Sequence, residues 1–268
     1  MKPFIHFAHA NGIPSKTYQK LFDQLQSDYD IAYVTALGTD QRYPVTSGWA
    51  NLRQQVIDNI VQHAQGRKAI GLGHSLGSIL TLMAAYQRPE LFERVILLDP
   101  PLVLGKNMWR LQFAKLFQPQ KIDQMSPAGL SARRRDHWES KQQAAESLRS
   151  KGFYKDFDAE CFQAYIDHGL VAAAQGGVTL TIPKQAEVSI FRTKPAFWWK
   201  PVPKPPVPVT VIAGKESRFS QQQFPQMMHK NLDIPFMMVK GGHMFPLQYP
   251  SETVQNILNI LNDRSEDQ

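Results

Sequence analysis

Short apolar runs and amphipathic stretches alternate through the first hundred residues, and this alternation restricts the fold more than any other feature of the sequence. Strands are predicted at 2–10, 29–37, 68–74 and 94–99, and helices at 15–28, 47–66 and 78–87. The last of these strands contains the run Val-Ile-Leu-Leu, which is typical of a strand covered on both faces. Ser15 is the expected N-cap of the first helix. The alternation predicts an α/β fold with a mostly parallel, doubly wound sheet.

The pattern changes to helices from Val103 to about Lys200. Helices are predicted at 107–117, 127–139, 141–151 and 159–167. Asp158 is the expected N-cap of the last helix, and Gly169 is its expected end. Six prolines between Pro195 and Pro208 then predict an extended connector, after which a strand at 209–214 and a helix at 250–263 resume the alternation. We therefore divide the chain into a first core part (1–102), a helical insertion with its proline-rich return connector (103–206) and a second core part (207–268).

The chain carries a net charge of +7, from 30 basic and 23 acidic residues. Most of the excess lies between residues 103 and 200, which hold 15 basic and 9 acidic residues. The basic residues are scattered apart from three arginines at 133–135, and no recognition motif accompanies them, so we do not expect a nucleic-acid partner. The two remaining explanations are a solvated basic face and attraction for an anionic substrate.

The cellular environment is indicated by the cysteine content and the apolar runs. A single cysteine, Cys161, excludes an internal disulfide and is typical of a reducing compartment, and we expect it to be a packing residue. No apolar run reaches the length of a membrane span, and the first residues lack the continuous apolar region of a signal peptide. These features predict a cytoplasmic protein without stable membrane insertion, and they leave its oligomeric state open.

The turn after the third predicted strand reads Gly-His-Ser-Leu-Gly at 73–77, and two interpretations compete for it. Together with Gly71 it approximates the glycine fingerprint of a dinucleotide site, and Asp99 ends the next strand at a suitable distance to hold a ribose hydroxyl. However, Leu76 stands where the third glycine of that fingerprint belongs. The turn also follows the third predicted strand rather than the first, which weakens this interpretation.

The second interpretation makes Ser75 a nucleophile on a sharp strand-to-helix turn. Glycines two residues before and after the serine relieve the crowding in such a turn, which lifts the hydroxyl out of the sheet. The helix that follows directs its positive end and the backbone N–H of Leu76 at the negative charge that develops on an attacked carbonyl. This interpretation explains more of the pattern than a phosphate site does.

Two further segments favour the nucleophile. His-Ala-Asn-Gly-Ile-Pro at 9–14 follows the first strand, and its glycine allows the chain to fold back so that the N–H of Ile13 supplies a second oxyanion donor; a simple β-turn is the alternative. His243 follows two glycines on a loop before the C-terminal helix and has no evident packing role. Imidazole is the most frequent general base in proteins, so His243 is the predicted base.

Together the three motifs resemble those of the α/β-hydrolase superfamily, in its serine hydrolase branch with a helical cap. The resemblance covers 1–102 and 207–268, and it identifies the insertion as the cap. It implies the α/β-hydrolase fold, the chain order serine, acid, histidine, and no metal or organic cofactor. A serine at position 75 in place of an aspartate disfavours the epoxide and haloalkane branches of the superfamily.

The acid of the triad remains open at this stage. The family's acid loop reads Gly-x-x-Asp, whereas this chain reads Gly-Lys-Glu-Ser-Arg at 214–218, with Ser217 where the aspartate is expected. Glu216 lies one position early. Asp99, at the end of a neighbouring strand, is the acid that we prefer, although Asp-Pro-Pro there could also simply end the strand. A chain without a functioning acid is the third possibility.

These observations predict a serine hydrolase that cleaves a small or medium-sized acyl substrate, above all a carboxylic ester, through an acyl-enzyme. The irregular acid loop also allows a module that binds small molecules without turnover, and a dinucleotide-binding protein is the weaker alternative. The basic insertion allows an anionic substrate. Aromatic residues of the insertion are expected to supply two or three pocket walls, from the set Trp109, Phe113, Phe117, Trp138, Phe153, Phe197 and Trp198.

Overall fold

A six-stranded sheet forms the centre of the fold in the computed structural model, which describes residues 1–104, 126–195 and 202–263. Its strands are β1 (Phe4–Ala8), β2 (Asp30–Tyr33), β3 (Ala69–His74), β4 (Phe92–Leu98), β8 (Val209–Gly214) and β9 (Phe236–Val239). Their order is β2-β1-β3-β4-β8-β9, and every described pair in this sheet is parallel. All strands therefore end at one edge of the sheet, where loops from distant parts of the sequence meet.

Helices cover both faces of the sheet, as the apolar strands predict. The helices of the core are α1 (Gln19–Leu25), α2 (Ala50–Ala64), α3 (Leu76–Gln87), α8 (Arg218–Gln221), α9 (Phe224–Leu232), α10 (Phe245–Gln248) and α11 (Pro250–Asn262). Helices α2, α3 and α9 bury their apolar side chains in one hydrophobic cluster, and α1 and α11 bury theirs in a second cluster. The doubly wound α/β fold is thereby confirmed. None of the described helices has the length and apolar character of a membrane span.

The insertion between β4 and β8 contains strands as well as helices. Its described helices are α4 (Ala128–Arg133), α5 (Lys141–Arg149), α6 (Ala159–His168) and α7 (Lys184–Arg192). Strands β5 (His137–Trp138), β6 (Leu170–Ala172) and β7 (Val178–Leu180) form an antiparallel sheet in the order β5-β7-β6. The boundaries at 102/103 and 206/207 remain a prediction.

The predicted helix at 127–139 is wrong beyond Arg133. Arg134 has an extended backbone, and the two residues of β5 pair with β7 instead of continuing the helix. The connection between β6 and β7 passes through Gly176 and Gly177, which both have positive φ and close the turn. The helices predicted at 141–151 and 159–167 match α5 and α6 to within two residues, whereas the one predicted at 107–117 lies outside the described residues.

Side-chain hydrogen bonds confirm one of the two predicted helix N-caps and show that the other is wrong. Asp158 accepts hydrogen bonds from the backbone N–H groups of Glu160 and Cys161, so its predicted role as the N-cap of α6 is confirmed. Ser15, in contrast, lies inside a short 3-10 helix, and its hydroxyl donates to the carbonyl of Val34 at 2.6 Å. The Ser15 side chain therefore joins two segments of the core and caps no helix.

The insertion shares its hydrophobic core with the sheet. Trp138 and Tyr165 are fully buried and belong to the same cluster as Leu98 of β4. Cys161 is buried in this cluster as well, which confirms that it is a packing residue. The insertion is consequently held against the sheet by packed side chains, at the end of the molecule where β4 leads out of the core.

Candidate active site

Ser75 stands on a strained turn between β3 and α3. Its backbone has φ 54 and ψ −112, a conformation that residues with a side chain rarely adopt. A Cβ atom on Gly73 would lie 2.5 Å from the carbonyl oxygen of Gly77, and one on Gly77 would lie 2.0 Å from that of Ala8. Both glycines of the motif are therefore required by close backbone packing, and this packing holds the serine in its turn.

A chain of hydrogen bonds joins Ser75, His243 and Asp99. Nε2 of His243 lies 2.9 Å from Oγ of Ser75, and Nδ1 of His243 lies 2.6 Å from Oδ2 of Asp99. Because the carboxylate accepts, Nδ1 carries the hydrogen, and Nε2 is left to accept the proton of the serine hydroxyl. In this geometry the imidazole can act as a base toward Ser75 while the carboxylate fixes the orientation of the ring.

Asp99 is buried and fully engaged. Besides His243, it accepts hydrogen bonds from the backbone N–H of Gly214 at 3.0 Å and from the hydroxyl of Ser217 at 2.5 Å. Glu216, the alternative acid, is exposed, and its side chain takes part in none of the hydrogen bonds or ion pairs of the described residues. The structure thus brings Asp99 to His243 and leaves Glu216 apart, while Ser217 supports the carboxylate from the position where the family's aspartate was expected.

A second histidine forms a hydrogen bond with the loop that carries His243. His74 is completely buried; its Nε2–H donates to the backbone carbonyl of His243 at 2.8 Å, and its Nδ1 accepts from the hydroxyl of Tyr18 at 2.6 Å. Burial lowers the pKa of His74 well below its usual value, and the neighbouring His243 ring adds to the effect. A neutral His74 ring therefore connects the first helical turn of the chain to the loop of His243. No sequence pattern pointed to Tyr18.

The turn at 9–14 packs directly against the start of α3. The backbone N–H of Gly77 donates to the carbonyl of His9 at 3.1 Å. The His9 ring donates from Nδ1 to the carbonyl of Ala10 and accepts at Nε2 from the N–H of Leu37, at 2.8 and 2.7 Å. Burial lowers the pKa of His9 to about 4, so this ring is neutral. His9 consequently fixes the shape of the turn beside the serine.

The predicted oxyanion donors differ in availability. The N–H of Ile13 donates to the carbonyl of Ala10 at 3.1 Å, because the positive φ of Gly12 closes a tight turn there. This amide is already engaged in the structure, as in the simple turn that was the alternative. The N–H groups of Leu76 and Asn11, in contrast, donate to no acceptor among the described residues. Both flank the contact between the turn and α3.

The insertion reaches this turn through a buried polar cluster. Glu187 of α7 accepts hydrogen bonds from the hydroxyl of Ser131 at 2.6 Å and from the guanidinium of Arg134 at 2.7 Å. Its backbone carbonyl accepts from the side-chain amide of Asn11 at 3.0 Å. A Cβ atom on Gly12 would lie 2.8 Å from Oε2 of Glu187. The insertion therefore lies directly over the turn next to Ser75.

The aromatic residues near the site differ from the predicted set. Trp138 is fully buried in the shared hydrophobic cluster, and Phe153 is partly exposed and packs on Tyr154, so their role as pocket walls remains a prediction. The other five predicted aromatics lie outside the described residues. Phe219, which the sequence did not single out, places its ring edge-on to the ring of His243 with 4.9 Å between the centroids.

The chain is similar in sequence to several known hydrolases. Residues 7–256 match the sequence model of the alpha/beta hydrolase family. An uncharacterized hydrolase of Bacillus subtilis (strain 168), YugF, is 46% identical over 85 residues, which are 31% of each chain. The type I acyl-CoA thioesterase mpaH of Penicillium roqueforti (strain FM164) is 24% identical over 216 residues, 68% of this chain and 48% of mpaH. The chain thus spans less than half of the length of these relatives.

A solved structure extends the similarity to the whole fold. E-2-(acetamidomethylene)succinate hydrolase superposes with a TM-score of 0.75 over 98% of this chain and 92% of the other, at 20% sequence identity. At this identity the superposition shows a common fold and nothing about substrates. The family match, in contrast, extends over nearly the whole chain. The protein is therefore a member of the alpha/beta hydrolase family.

Proposed function

We propose that the chain is a serine hydrolase that cleaves a small or medium-sized acyl substrate through an acyl-enzyme on Ser75. The observation that carries the proposal is the 2.9 Å separation between Oγ of Ser75 and Nε2 of His243. A serine hydroxyl is a weak nucleophile unless a base removes its proton, and a separation of this size allows that transfer directly.

The reaction divides into two half-reactions. Oγ of Ser75 attacks the carbonyl carbon while Nε2 of His243 takes its proton, and the same proton passes to the leaving alcohol or thiol as the tetrahedral intermediate collapses. Water then attacks the acyl-enzyme, again with His243 as the base, and the carboxylic acid leaves. Asp99 accepts the Nδ1–H of His243 throughout and stabilises the imidazolium that forms in each half-reaction.

We assign the oxyanion to the backbone N–H groups of Leu76 and Asn11. Neither amide has an acceptor among the described residues, and both lie where the turn at 9–14 meets α3. Leu76 is the first residue of α3, so its amide points along the positive end of the helix. Asn11 takes the role first predicted for Ile13, whose amide is bonded to Ala10.

The bond that is cleaved is an ester in the first proposal and a thioester in the second. An ester is the general substrate of this chemistry, whereas the name of mpaH, an acyl-CoA thioesterase, favours a thioester. The insertion over the turn acts as a cap in this proposal and limits the size of the acyl group. A substrate with a negative charge is consistent with the basic insertion, and a reaction without metal or cofactor remains a prediction.

The two rival functions fit the described contacts less well. A phosphate cradle needs free amides in the glycine-rich turn, but the N–H of Ser75 is bonded to Leu98 and that of Gly77 to His9. Gly71 is explained by packing, since a Cβ atom there would lie 2.7 Å from Thr81. A binding module without turnover has no need of a carboxylate that is buried and bonded to a histidine beside a serine.

The proposed function is tested with a panel of substrates and one variant. Aryl esters of two to twelve carbons, acyl-CoA thioesters and lactones are offered to the wild type and to Ser75→Ala. We expect turnover of at least one ester or thioester, and a loss in kcat of about 10⁴-fold or more in the variant, because the acyl-enzyme cannot form. Equal turnover by both proteins, or none of any substrate by the wild type, contradicts the proposal.

A further inference from the structure

The loops after β8 and β9 carry three cations at the edge of the sheet where Ser75 lies, and one of them has a distinct position. Cζ of Arg218 lies 4.9 Å from the centroid of the Phe219 ring, and that ring lies 4.9 Å from the ring of His243. Nζ of Lys240 lies over the ring of Tyr249 instead, at 4.4 Å. The third cation, on Lys215, is exposed. A guanidinium, a phenyl ring and the imidazole thus form one continuous series of contacts.

Apart from the ring of Phe219, the guanidinium of Arg218 has no hydrogen-bonding or ion-pairing partner in the part of the chain that the structure describes. No ion pair and no hydrogen bond of its side chain is found there. The charge of the buried Asp99 carboxylate acts on it, but both oxygens of that carboxylate are already bonded. Glu216, two positions earlier in the same loop, forms no ion pair with it. Five N–H donors therefore remain without a protein acceptor.

The surroundings of Arg218 place its head group at the rim of the site. The residue as a whole is exposed, yet the protein around the guanidinium removes enough water to lower the pKa of Arg218 from its usual value, and the charge of Asp99 opposes this effect. The guanidinium is therefore partly desolvated, has no acidic partner and is accessible to an anion at the rim of the site. Two other arginines show the alternative, since Arg67 pairs with Asp30 and Arg42 with Asp40, while the exposed Arg133 also has no ion pair among the described residues but contacts no ring beside the site.

We propose that Arg218 recognises an anionic group, a carboxylate or a phosphate, on the substrate that Ser75 attacks. This inference rests on the proposed function and adds a substrate class and a specificity-determining residue to it. The planar fork of the guanidinium matches two oxygens of such a group. Phe219 keeps the guanidinium in place by stacking, and its ring separates the cation from the imidazole of His243.

The position of Arg218 also indicates which part of the substrate is charged. Arg218 contacts Phe219 and not the hydroxyl of Ser75, so the anionic group belongs at the end of the substrate away from the scissile carbonyl. It can lie on the acyl group, as in a half-ester of a dicarboxylic acid, or on the leaving group, as in a phosphorylated thiol carrier. The exposed cations of Lys215 and Lys240 add a long-range attraction that salt weakens.

The test compares pairs of substrates that differ in one charged group. 4-Nitrophenyl hydrogen succinate against 4-nitrophenyl butyrate reports a charged acyl group, and butyryl-4′-phosphopantetheine against butyryl-pantetheine reports a charged leaving group. We expect Arg218→Gln to lower kcat/KM on one charged member by about 10- to 100-fold, the range for a hydrogen bond to a charged group, and on its neutral partner by less than threefold. Arg218→Lys retains part of the preference, and the control Lys215→Gln changes it by less than threefold.

A selective loss of threefold or more in either pair supports the assignment, and the pair that shows it identifies the source of the charge. A selective loss below threefold in both pairs overturns it. If the wild type turns over none of these substrates, titration calorimetry with succinamate and neutral succinamide replaces kinetics; tighter binding of succinamate that Arg218→Gln removes supports the assignment, and equal binding overturns it. Labelling of Ser75 by a fluorophosphonate reports the proposed function separately.

Discussion

Two residues of the site hold backbone conformations that are unfavourable for residues with side chains. Ser75 has φ 54 and Asp99 has φ 44, and each costs on the order of 1–3 kcal/mol. Hydrogen bonds to neighbouring strands offset the strain, from the N–H of Ser75 to Leu98 at 3.0 Å and from the N–H of Asp99 to Ile212 at 2.8 Å. Within the site, the strain falls on the two residues whose side chains flank His243. This is expected if the strained turns serve to orient these side chains.

Replacing the buried carboxylate tests its assignment as the acid. Asp99→Asn should lower kcat by about 10³- to 10⁴-fold. A neutral amide does not fix the hydrogen of His243 on Nδ1, and it does not stabilise the imidazolium that forms during the reaction. The matched control Glu216→Gln removes the alternative carboxylate and should leave kcat within twofold. Both variants are compared with the wild type on the best ester of the panel. Full turnover by Asp99→Asn together with loss in Glu216→Gln would reverse the assignment.

Residue types and spacing identified candidate side chains for the site, but they could not decide between the two candidate acids. Ser75 and His243 stand in motifs with a local reason for each position. The choice between Asp99 and Glu216 depends on the pairing of β4 with β8 and on the hydroxyl of Ser217, which no local pattern contains. The hydrogen bond of the Ile13 amide was not predictable for a similar reason, since the direction of an amide depends on the φ and ψ of its turn.

At the scale of elements, the site depends on how closely α3 approaches β1. The first turn of α3 touches the end of β1 so tightly that the position of a Cβ atom on Gly77 lies 2.0 Å from the carbonyl oxygen of Ala8. The same approach allows the N–H of Gly77 to bond the carbonyl of His9. The contact between a strand and a helix therefore sets the distance between Ser75 and the turn that carries Asn11.

A methyl group at Gly77 should separate these two elements. Gly77→Ala is expected to destabilise the fold by about 3 kcal/mol or more, because the clash involves backbone atoms that cannot move without shifting a strand. Gly152 is the control, since it has open space around its Cβ position, and Gly152→Ala should change the free energy of unfolding by less than about 1 kcal/mol. Chemical denaturation measures both. Equal stability of the two variants would contradict the close approach.

Sequence patterns predicted some elements of the insertion and missed others. Helices α5 and α6 were predicted at nearly their observed bounds, and in the structure the side chains of Ser140 and Asp158 cap them. Strands β5 to β7 have only two or three residues each, too few for an alternating pattern. Their pairing depends on a glycine turn and on Trp138, whose burial comes from long-range packing.

At the scale of the whole molecule, three buried histidines must remain neutral for the fold to persist. Burial lowers the pKa of His6 and of His9 from the usual 6.5 to about 4 in each case, and it lowers that of His74 as well. Between about pH 4 and pH 6.5 the unfolded chain binds protons at His6 and His9, whereas the folded chain does not. The stability that the neutral rings of His6 and His9 contribute is therefore fully present above about pH 6.5 and is lost as the pH falls toward about 4.

The free energy of unfolding should fall steeply in this acidic range. His6 alone accounts for about 3 kcal/mol of the loss, from a pKa difference between 6.5 and about 4. His6→Gln should flatten the dependence by up to about 1.4 kcal/mol per pH unit, whereas the exposed control His229→Gln, which does not act on His6, should change it far less. Urea denaturation from pH 7 to pH 4.5 measures the slope. A slope that His6→Gln leaves as in the wild type would contradict the linkage.

The overall architecture was the most predictable part of the molecule. Apolar strands that alternate with amphipathic helices allow few arrangements other than a parallel sheet covered on both faces, and β1 to β4 lie where the runs of the sequence predicted them. The short strands of the insertion and the contacts of Arg218 were not predictable, because they depend on long-range packing and on which loops meet at the edge of the sheet. The family match of residues 7–256 agrees with the predicted core and does not decide the substrate.

The most direct test of the account asks whether Ser75 is activated by His243. The wild type and His243→Ala are incubated with a fluorophosphonate, and the adduct is counted by intact mass and located by peptide mapping. We predict one adduct per chain on Ser75 in the wild type, and labelling about 100-fold slower or slower still in His243→Ala, because the base no longer takes the hydroxyl proton. No adduct, an adduct on another residue, or an equal rate in both proteins would contradict the central claim.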